Sequence, residues 1–331
     1  MMEQASRLTT HESRLTFLAL ILLGMISAAV AQEFPSRPVR MVVPIGPGSS
    51  MDITGRVVAQ KMSETWNQPV IVDNRPGAGG NIGADVVAKA QPNGYTVLFC
   101  SSSLAIARSA YRKLPYDPLR DLEPVTQISS RGNVLVVHPS LPVSSVKELI
   151  AHAKARPGQL SFGSGGGNGS SDHMVGELFN PLAGVQIAHV PYKSGPQAMN
   201  DLLNGQMQTY FGGIPVNLPM IRAGKLRPLG VSLAKRSPLL PEVSTMMEAG
   251  VPGYEVNVWY GLFAPAGTPK NVVARIAADV DRQLKSREFQ ERLTALGVDA
   301  AGGTPAEFKA LFTREVETWA KVVKAARITL D

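Results

Sequence analysis

The stretch SFGSGGGNGSSDHM, residues 161–174, carries glycine and serine at a density that could serve anion binding or nucleophilic catalysis. Its glycines leave backbone N–H groups unobstructed, and its serine hydroxyls can donate hydrogen bonds. A helix predicted to begin near Ser170 would add the orphan N–H groups and the partial positive charge of its first turn. These groups favour an anion-binding loop. The alternative is a glycine-rich turn that is capped by Ser170 or Ser171 and binds nothing.

Catalytic and nucleotide-binding motifs do not fit this stretch. The dinucleotide fingerprint requires glycine at its first, third and sixth positions, and no register of the run supplies the sixth. The sequence also lacks the Gly-Lys-Ser/Thr of a phosphate loop, and the frame centred on Ser171 lacks the second glycine of a nucleophile elbow. Asp172 and His173 are adjacent, so their side chains would point about 100° apart on a helix and form no dyad. An exported hydrolase that uses one of the loop serines stays open as the alternative from another functional class.

The N-terminus indicates export. An apolar segment from Leu15 to Val30 follows two arginines, and Ala29-Val30-Ala31 supplies the small-x-small pattern of a cleavage site. The segment is shorter than the roughly 20 residues of a membrane-spanning helix. No cysteine lies near the cleavage site, which argues against a lipid anchor. We therefore predict that residues 1–31 form a signal peptide, cleaved near Ala31-Gln32, and that the mature protein is periplasmic.

Composition narrows the function classes further. About 300 residues follow the predicted signal peptide, which suits two domains of ordinary size. The formal net charge is +7, but the basic residues are scattered singly, so we expect no nucleic-acid partner. Cys100 is the one cysteine, which excludes an intrachain disulfide, and its apolar neighbours predict a buried hydrophobic role. The histidines lack the spacing of metal ligands, so we expect neither a metal nor a cofactor.

Short β-branched segments alternate with helical patterns, which predicts an α/β fold with largely parallel sheets. The strand candidates are Val39–Pro44, Val70–Asp73, Tyr95–Cys100, Val134–His138, Ser161–Gly163, Gln186–Val190, Gln208–Phe211, Leu226–Ser232 and Val256–Phe263. Thr268-Pro269 and Thr304-Pro305 each place an N-cap before a proline at the first helical position, and Glu307 completes a capping box at the second. The last part of the chain is therefore expected to be mainly helical.

Three further stretches repeat the design of a strand followed by a small-residue loop and a helix start. They are VVPIGPGSSMD (residues 42–52), LFCSSSLAI (residues 98–106) and HVPYKSGPQAM (residues 189–199). In open α/β sheets, ligands bind just beyond the carboxyl ends of the strands. We therefore expect these loops to converge with residues 161–174 on one ligand.

Five blocks carry a resemblance to a known family. They are RPVRMVVPIGPGSSMDITGRVVAQKMSE, NRPGAGGNIGADVVAKAQPNGYT, VPYKSGPQAMNDLLNGQ, IRAGKLRPLGVSLAKRSPLLPEVSTMMEAGVPGYEV and WYGLFAPAGTPKNVV. In this order they resemble the Bug (TctC-like) family of extracytoplasmic solute receptors of tripartite tricarboxylate transporters. The resemblance covers essentially the whole mature chain. It implies a two-lobed periplasmic binding protein fold, type II-like, with the ligand in the cleft between lobes and hinge closure over it.

The expected ligand-binding residues lie in five segments that follow strands. They are Pro47, Gly48, Ser49, Ser50, Met51, Asp52, Ser101, Ser102, Ser103, Gly165, Gly166, Gly167, Asn168, Ser170, Tyr192, Lys193, Ser194 and Gly213. Asp52 has an alternative role at the helix N-terminus, and Lys193 could meet either the ligand or a carboxylate across the cleft. Ser49 and Ser194 stand where the family usually has glycine, which leaves the identity of the ligand open. Backbone amides alone suffice for a micromolar site, so no arginine clamp is required.

The resemblance also implies the domain organisation and the partners. We expect lobe one to comprise residues 34–130 and 260–331 and lobe two to comprise residues 131–259, with crossings near Ser129–Asn133 and Asn257–Gly261. The implied function is non-enzymatic capture of a small organic acid and its delivery to a two-component integral membrane transporter with a large and a small subunit. We expect the receptor to be a monomer. A receptor that serves a sensor kinase is the alternative output.

Overall fold

Two β-sheets divide the strands of the chain between them. The computed structural model describes residues 34–325 and 328–330, so the predicted signal peptide lies outside the described residues. The chain from Pro38 onward forms one compact unit that contains both sheets. Within the described residues, no helix has both the length and the apolar character needed to cross a membrane.

The first sheet has six strands and mixed directions. Its strands are β1 (Val39–Val43), β2 (Val70–Asn74), β3 (Thr96–Ser101), β4 (Leu122–Arg131), β10 (Val258–Pro265) and β11 (Asp299–Ala300). Their order across the sheet is β11-β4-β10-β3-β1-β2. The pairs of β1 with β2 and β3 are parallel, whereas β10 is antiparallel to β3 and β4. Every residue of β10 is buried, which makes it the centre of this sheet.

The second sheet has five strands, again of mixed direction. Its strands are β5 (Asn133–Val137), β6 (Ser161–Ser164), β7 (Ala188–Pro191), β8 (Thr209–Gly213) and β9 (Arg227–Val231), in the order β7-β6-β8-β5-β9. The strand β6 is parallel to β7 and β8, and β5 is antiparallel to β8 and β9. The expectation of largely parallel sheets was therefore wrong. Strands that enter a sheet after crossing from the other one run against their neighbours.

Helices pack around both sheets. They are α1 (Ser50–Trp66), α2 (Asn81–Ala88), α3 (Ser103–Ala110), α4 (Val146–Ala155), α5 (Ser171–Ala183), α6 (Gly195–Leu203), α7 (Ile214–Arg222), α8 (Lys270–Leu284), α9 (Arg287–Ala295) and α10 (Pro305–Ala325). The helix α10 packs against α3 and β4. It delivers Phe308 and Phe312 to a cluster with Trp259 and Phe263, in which ring centroids lie 5.0–6.2 Å apart.

Of the two helix caps predicted in the last part of the chain, one is confirmed and one is wrong. Thr304 caps α10, since its Oγ1 accepts from the Glu307 N–H and the Glu307 carboxylate accepts from the Thr304 N–H. At the start of α8, however, Pro269 is the cap residue, and Thr268 Oγ1 donates to the carbonyl of Pro265. The preference of that hydroxyl for an upstream turn carbonyl overrides the expected capping role.

The chain passes between the sheets in two places. Gly132 alone separates β4 from β5, and a longer segment connects β9 to β10. The two connections are hydrogen-bonded to each other: the Asn133 N–H donates to Ser232 Oγ at 2.9 Å, and Ser232 Oγ donates to the Val256 carbonyl at 2.7 Å. The exact lobe boundaries given above stay a prediction.

Candidate functional site

Loops from both sheets enclose one small pocket with a cavity volume of about 20 Å³, and many of its lining residues are polar. Its wall combines the starts of three helices with the end of β4 and one tyrosine of β10. The lining residues are Pro44, Ile45, Ser49, Ser50, Met51, Gly79, Ser101, Ser103, Arg131, Gly166, Ser170, Ser171, Asp172 and Tyr260. Among the described residues, no group of three or more His, Cys, Asp or Glu side chains is placed to hold a metal ion.

The first helix start, α1, follows a loop of residues 44–49 that we call the α1 loop. Ser49 is its N-cap, and the Ser49 hydroxyl accepts from the Asp52 N–H at 3.2 Å. The amides of Ser50 and Met51 belong to the first turn, where no intrahelical acceptor exists. Within the described part of the chain, neither of these two N–H groups has a hydrogen-bond partner.

A buried carboxylate holds the α1 loop in place. Asp52 accepts from the Gly48 N–H and from Asn74 Nδ2, each at 2.9 Å, and forms an ion pair with Arg56. Burial acts to raise the pKa of Asp52, but the bonds from Arg56, Gly48 and Asn74 hold it below its ordinary value. Asp52 therefore shapes the loop from behind and does not line the pocket.

The second helix start, α5, follows residues 165–170, the α5 loop. Ser170 is the N-cap and accepts from the His173 N–H, while its hydroxyl donates to the Gly167 carbonyl at 2.8 Å. The Gly169 N–H donates to His173 Nδ1 at 3.0 Å. The first-turn amides of Ser171 and Asp172 have no partner among the residues that the structure describes. Two orphan amides from each of two helices thus converge on the pocket.

Two stacked imidazole rings support the α5 loop. His189 Nε2 lies 2.7 Å from Ser164 Oγ, and the rings of His189 and His173 stack with centroids 3.8 Å apart. Burial and, to a lesser degree, the His173 ring lower the pKa of His189 from 6.5 to about 3. His189 is therefore neutral at physiological pH, and this support carries no charge.

A buried arginine forms the base of the pocket. Arg131, the last residue of β4, donates from Nε to the Tyr260 hydroxyl at 2.6 Å, from Nη1 to Asn133 Oδ1 at 2.8 Å and from Nη2 to Asp172 Oδ1 at 2.8 Å. Burial acts to lower the pKa of Arg131, but Tyr260 and Asp172 raise it above its ordinary value. The guanidinium stays charged and joins residues of both sheets. Gly213 leaves it room, because a Cβ there would lie 2.5 Å from Nη1.

A wider cavity with a volume of about 580 Å³ adjoins the α5 loop. Its wall includes Asn168, Tyr192 and Lys193 from the second sheet and Tyr111 from the first. The Tyr111 hydroxyl donates to the Asn168 carbonyl at 2.7 Å, which bridges the two sides. The α1 loop packs closely against the segment that follows β7, since a Cβ at Gly46 would lie 2.8 Å from the Lys193 carbonyl oxygen.

Comparison with known proteins identifies the family. The sequence profile described as "Tripartite tricarboxylate transporter family receptor" matches residues 54–328. The chain belongs to this family. It is 37% identical to Protein BugT of Bordetella pertussis, over 91% of this chain and 93% of BugT.

Solved structures of similar proteins agree with this assignment. Rpa4515 of R. palustris, determined with adipate, is 38% identical with a TM-score of 0.86 over 90% of this chain and 99% of that one. MatC from Rhodopseudomonas palustris, determined with bound malate, is 32% identical with a TM-score of 0.83 over 88% of this chain and 100% of that one. The receptor therefore has the two-lobed periplasmic binding protein fold that the sequence predicted.

The structure brings most of the predicted site residues of this receptor to the two cavities. Those that line the small pocket are Ser49, Ser50, Met51, Ser101, Ser103, Gly166 and Ser170. Those that line the wider cavity are Gly166, Gly167, Asn168, Tyr192 and Lys193. Those outside both linings are Pro47, Gly48, Asp52, Ser102, Gly165, Ser194 and Gly213.

The sequence analysis missed Arg131, Tyr260 and the side chain of Asp172. Arg131 ends a strand that the analysis did not predict, because Pro124 and a run of serines obscure the strand pattern of DLEPVTQISSR. Asp172 was judged only as a partner of His173. One feature of the sequence could have indicated Arg131: it lies within Ser129–Asn133, where the chain was predicted to cross from one lobe to the other and where residues of both lobes must meet.

Proposed function

We propose that this receptor captures a small carboxylate between its two sheets and delivers it to the membrane subunits of a tripartite tricarboxylate-type transporter. The observation that carries the proposal is the convergence of the α1 and α5 N-termini, whose first-turn amides are otherwise unpaired. Such amides, together with the positive ends of the helix dipoles, stabilise negative charge. The ligands named for Rpa4515 and MatC, adipate and malate, support a carboxylate for this chain.

The net charge of the pocket favours this mode of binding. Arg131 and Asp172 are the two charged side chains among its lining residues, and they neutralise each other. The attraction for an anion therefore comes from the amides and from the serine hydroxyls around them. Four charge-assisted bonds of about 1.5–3 kcal/mol each, less the cost of ordering the ligand, suffice for a micromolar dissociation constant.

The receptor is proposed to be exported and to act without catalysis. Its relatives are solute-binding receptors, and four of the serines that line the pocket have other roles in the structure. Ser49 and Ser170 cap helices, and the Ser101 and Ser103 hydroxyls lie 3.0 Å apart and bond each other. The His173 ring accepts from the Gly169 N–H at Nδ1, and within the described residues it forms no hydrogen bond with a serine hydroxyl. The ring of His189 does bond the Ser164 hydroxyl, but Ser164 is not among the residues that line the pocket.

Proline at the first position of α5 tests the proposal most directly. Ser171→Pro removes one pocket amide, and the site accepts proline because Ser170 is already extended at φ −66° and ψ 159°. We expect the dissociation constant for the tightest of succinate, malate and adipate, measured by calorimetry, to rise at least about tenfold. Adipamide, the neutral counterpart of adipate, should not bind detectably.

A matched control is Arg287→Pro at the first position of α9. Ser286 before it is extended at φ −74° and ψ 134°, and the Arg287 side chain is 91% exposed. This variant should bind the same acid as the wild type does. Equal affinity of Ser171→Pro and wild type, or binding of adipamide as tight as that of adipate, would contradict the amide site.

A further inference from the structure

One carboxylate oxygen in the pocket has no donor. Asp172 Oδ1 accepts from Arg131 Nη2 at 2.8 Å and from Asn133 Nδ2 at 2.9 Å. Asp172 Oδ2, in contrast, has no hydrogen-bond partner in the described part of the chain, and it retains accessible surface. The side chain is only 13% exposed and belongs to the wall of the small pocket. The free oxygen is therefore available to a ligand in that pocket.

The other polar side chains and the orphan amides of the pocket wall can all donate a hydrogen bond, whereas this oxygen can only accept one. Orphan amides and the guanidinium of Arg131 can only donate, and the serine and tyrosine hydroxyls can do either. Asp172 is the one lining residue with a carboxylate. Among its lining side chains, the pocket thus offers several donors and a single obligate acceptor. A ligand that satisfies both must carry an acceptor group and a donor group.

The ion pair with Arg131 explains how an acidic side chain can share the pocket with an anionic ligand. Because Arg131 compensates the charge of Asp172, a bound carboxylate meets no net negative charge at the base. An unsubstituted dicarboxylate, however, offers no donor to Oδ2 at neutral pH. A desolvated carboxylate oxygen without a donor is unfavourable, whereas a charge-assisted hydrogen bond to it is among the strongest in proteins.

We propose that Asp172 determines specificity, and that the receptor selects carboxylates that bear an ammonium or hydroxyl donor over unsubstituted dicarboxylates. This inference rests on the proposed function, since it concerns the same pocket. Asp172 Oδ2 receives the donor of the ligand while the amides of α1 and α5 bind its carboxylate. Arg131 and Asn133 act as positioning residues, because they hold the Asp172 carboxylate through its other oxygen.

Matched acids that differ in one substituent test the inference. Succinate, malate and aspartate share a four-carbon skeleton, and glutarate, 2-hydroxyglutarate and glutamate share a five-carbon one. In calorimetric titrations at pH 7 we expect the tighter of the two substituted acids in at least one series to bind at least tenfold more tightly than the unsubstituted acid, which is about 1.4 kcal/mol.

Asp172→Asn is the corresponding variant. An amide keeps an oxygen for Arg131 and Asn133 and replaces the free acceptor by an NH₂ donor of nearly the same size. The preference should fall to within about threefold in this variant, and the affinity for the unsubstituted acid should hold or rise. Glu177→Gln makes the same chemical change on the same helix, outside the pocket lining, and should leave the preference intact.

The outcomes are distinguishable. If unsubstituted acids bind as tightly as substituted ones, or if Asp172→Asn keeps the preference, the inference is overturned and the carboxylate receptor stands. If the wild type binds none of the six acids, adipate or any other carboxylate, the proposed function fails and the inference fails with it. Should Asp172→Asn not fold, as judged by circular dichroism, the wild-type ratios decide the matter alone.

Discussion

The α1 loop and the α5 loop present the same donors to the pocket but are held by different chemistry. Both end in a serine N-cap followed by two orphan amides. A buried carboxylate, Asp52, supports the first through charge-assisted bonds, whereas the imidazole rings of His173 and the neutral His189 support the second. The same arrangement of backbone amides can thus be held in place by an ionised side chain or by an uncharged one. The two kinds of support should respond differently to acid and to substitution.

Acidification should produce the largest effect, and it should act through the α5 side. The pKa of His189 is about 3 when folded and near 6.5 when unfolded, so between these values the unfolded chain binds a proton that the folded chain does not. Stability from neutral His189 is therefore present above pH 6.5 and is lost as the pH falls towards 3. Between pH 7 and pH 4 the expected loss is on the order of 3 kcal/mol, somewhat less after allowance for partial exposure.

Denaturant unfolding of wild type and His189→Gln at both pH values measures this contribution. The variant cannot titrate at this position, so its stability should fall by less over the same interval. His152→Gln on α4 serves as the control, since His152 contacts neither loop. If the free energy of unfolding depends on pH in the same way in His189→Gln and wild type, the neutral His189 does not make the expected contribution to stability.

Asp52→Asn should have the next largest effect, and its pH dependence should have a different form. Gly48 and Arg56 donate to Oδ2 of Asp52 and Asn74 donates to Oδ1, and an amide has a single accepting oxygen and no charge for Arg56, so we expect a loss of about 2 kcal/mol in the free energy of unfolding at pH 7. Because the pKa of Asp52 is lowered by folding, its contribution is present above about 3.8 and is lost as the pH falls through the folded value. The penalty of the variant, measured by denaturant unfolding, should therefore shrink below pH 4. A penalty that does not decrease at all between pH 7 and the lowest pH at which the wild type stays folded would argue against the ionic support.

Tyr111→Phe should have the smallest effect of the three, and it should appear in ligand affinity. The variant removes the hydrogen bond to the Asn168 carbonyl that ties the α5 loop to the first sheet. About 1 kcal/mol is at stake, or roughly fivefold in the dissociation constant for the acid that binds best. Tyr116→Phe is the matched control, because the Tyr116 hydroxyl bonds Asn81 within one side of the structure. Equal affinity losses in both variants would mean that the bridge has no special role in binding.

Local signals in the sequence were sufficient for the loops and for the fold class. The glycine and serine pattern predicted a helix start near Ser170, which is the cap of α5, and the alternation of β-branched segments located nine of the strands. At α1 the cap is Ser49, whereas Asp52 was the residue with a predicted role at that helix N-terminus. Cys100 is buried as its apolar neighbours indicated. These features depend on neighbours in sequence, where propensity and periodicity act.

The remaining features depend on contacts that are distant in sequence. The strand β4 contains Pro124, whose missing N–H is accommodated at a register irregularity opposite Phe263 in β10. The partners of Arg131 lie at positions 133, 172 and 260, so that only the folded chain shows the arginine to be buried and satisfied. The same holds for Asp52, whose orientation away from the pocket follows from Asn74 on a neighbouring strand.

The single residue between β4 and β5 has a mechanical consequence. If one sheet rotates against the other, Gly132 lies at the fulcrum, and displacement grows with distance from it. The hydrogen bond between Arg131 and Asn133, the immediate neighbours of Gly132, then persists through most of the rotation. The hydrogen bond between Tyr111 and Asn168 breaks after a small rotation. Arg131 and Asn133, which hold the carboxylate that recognises the solute, therefore lie at the axis of rotation. Tyr111 and Asn168, whose bond helps to keep the solute bound, lie far from that axis. Substitutions beside Gly132 then change which solute is bound, whereas a substitution at Tyr111 changes how long the solute stays bound and, through that rate, the affinity.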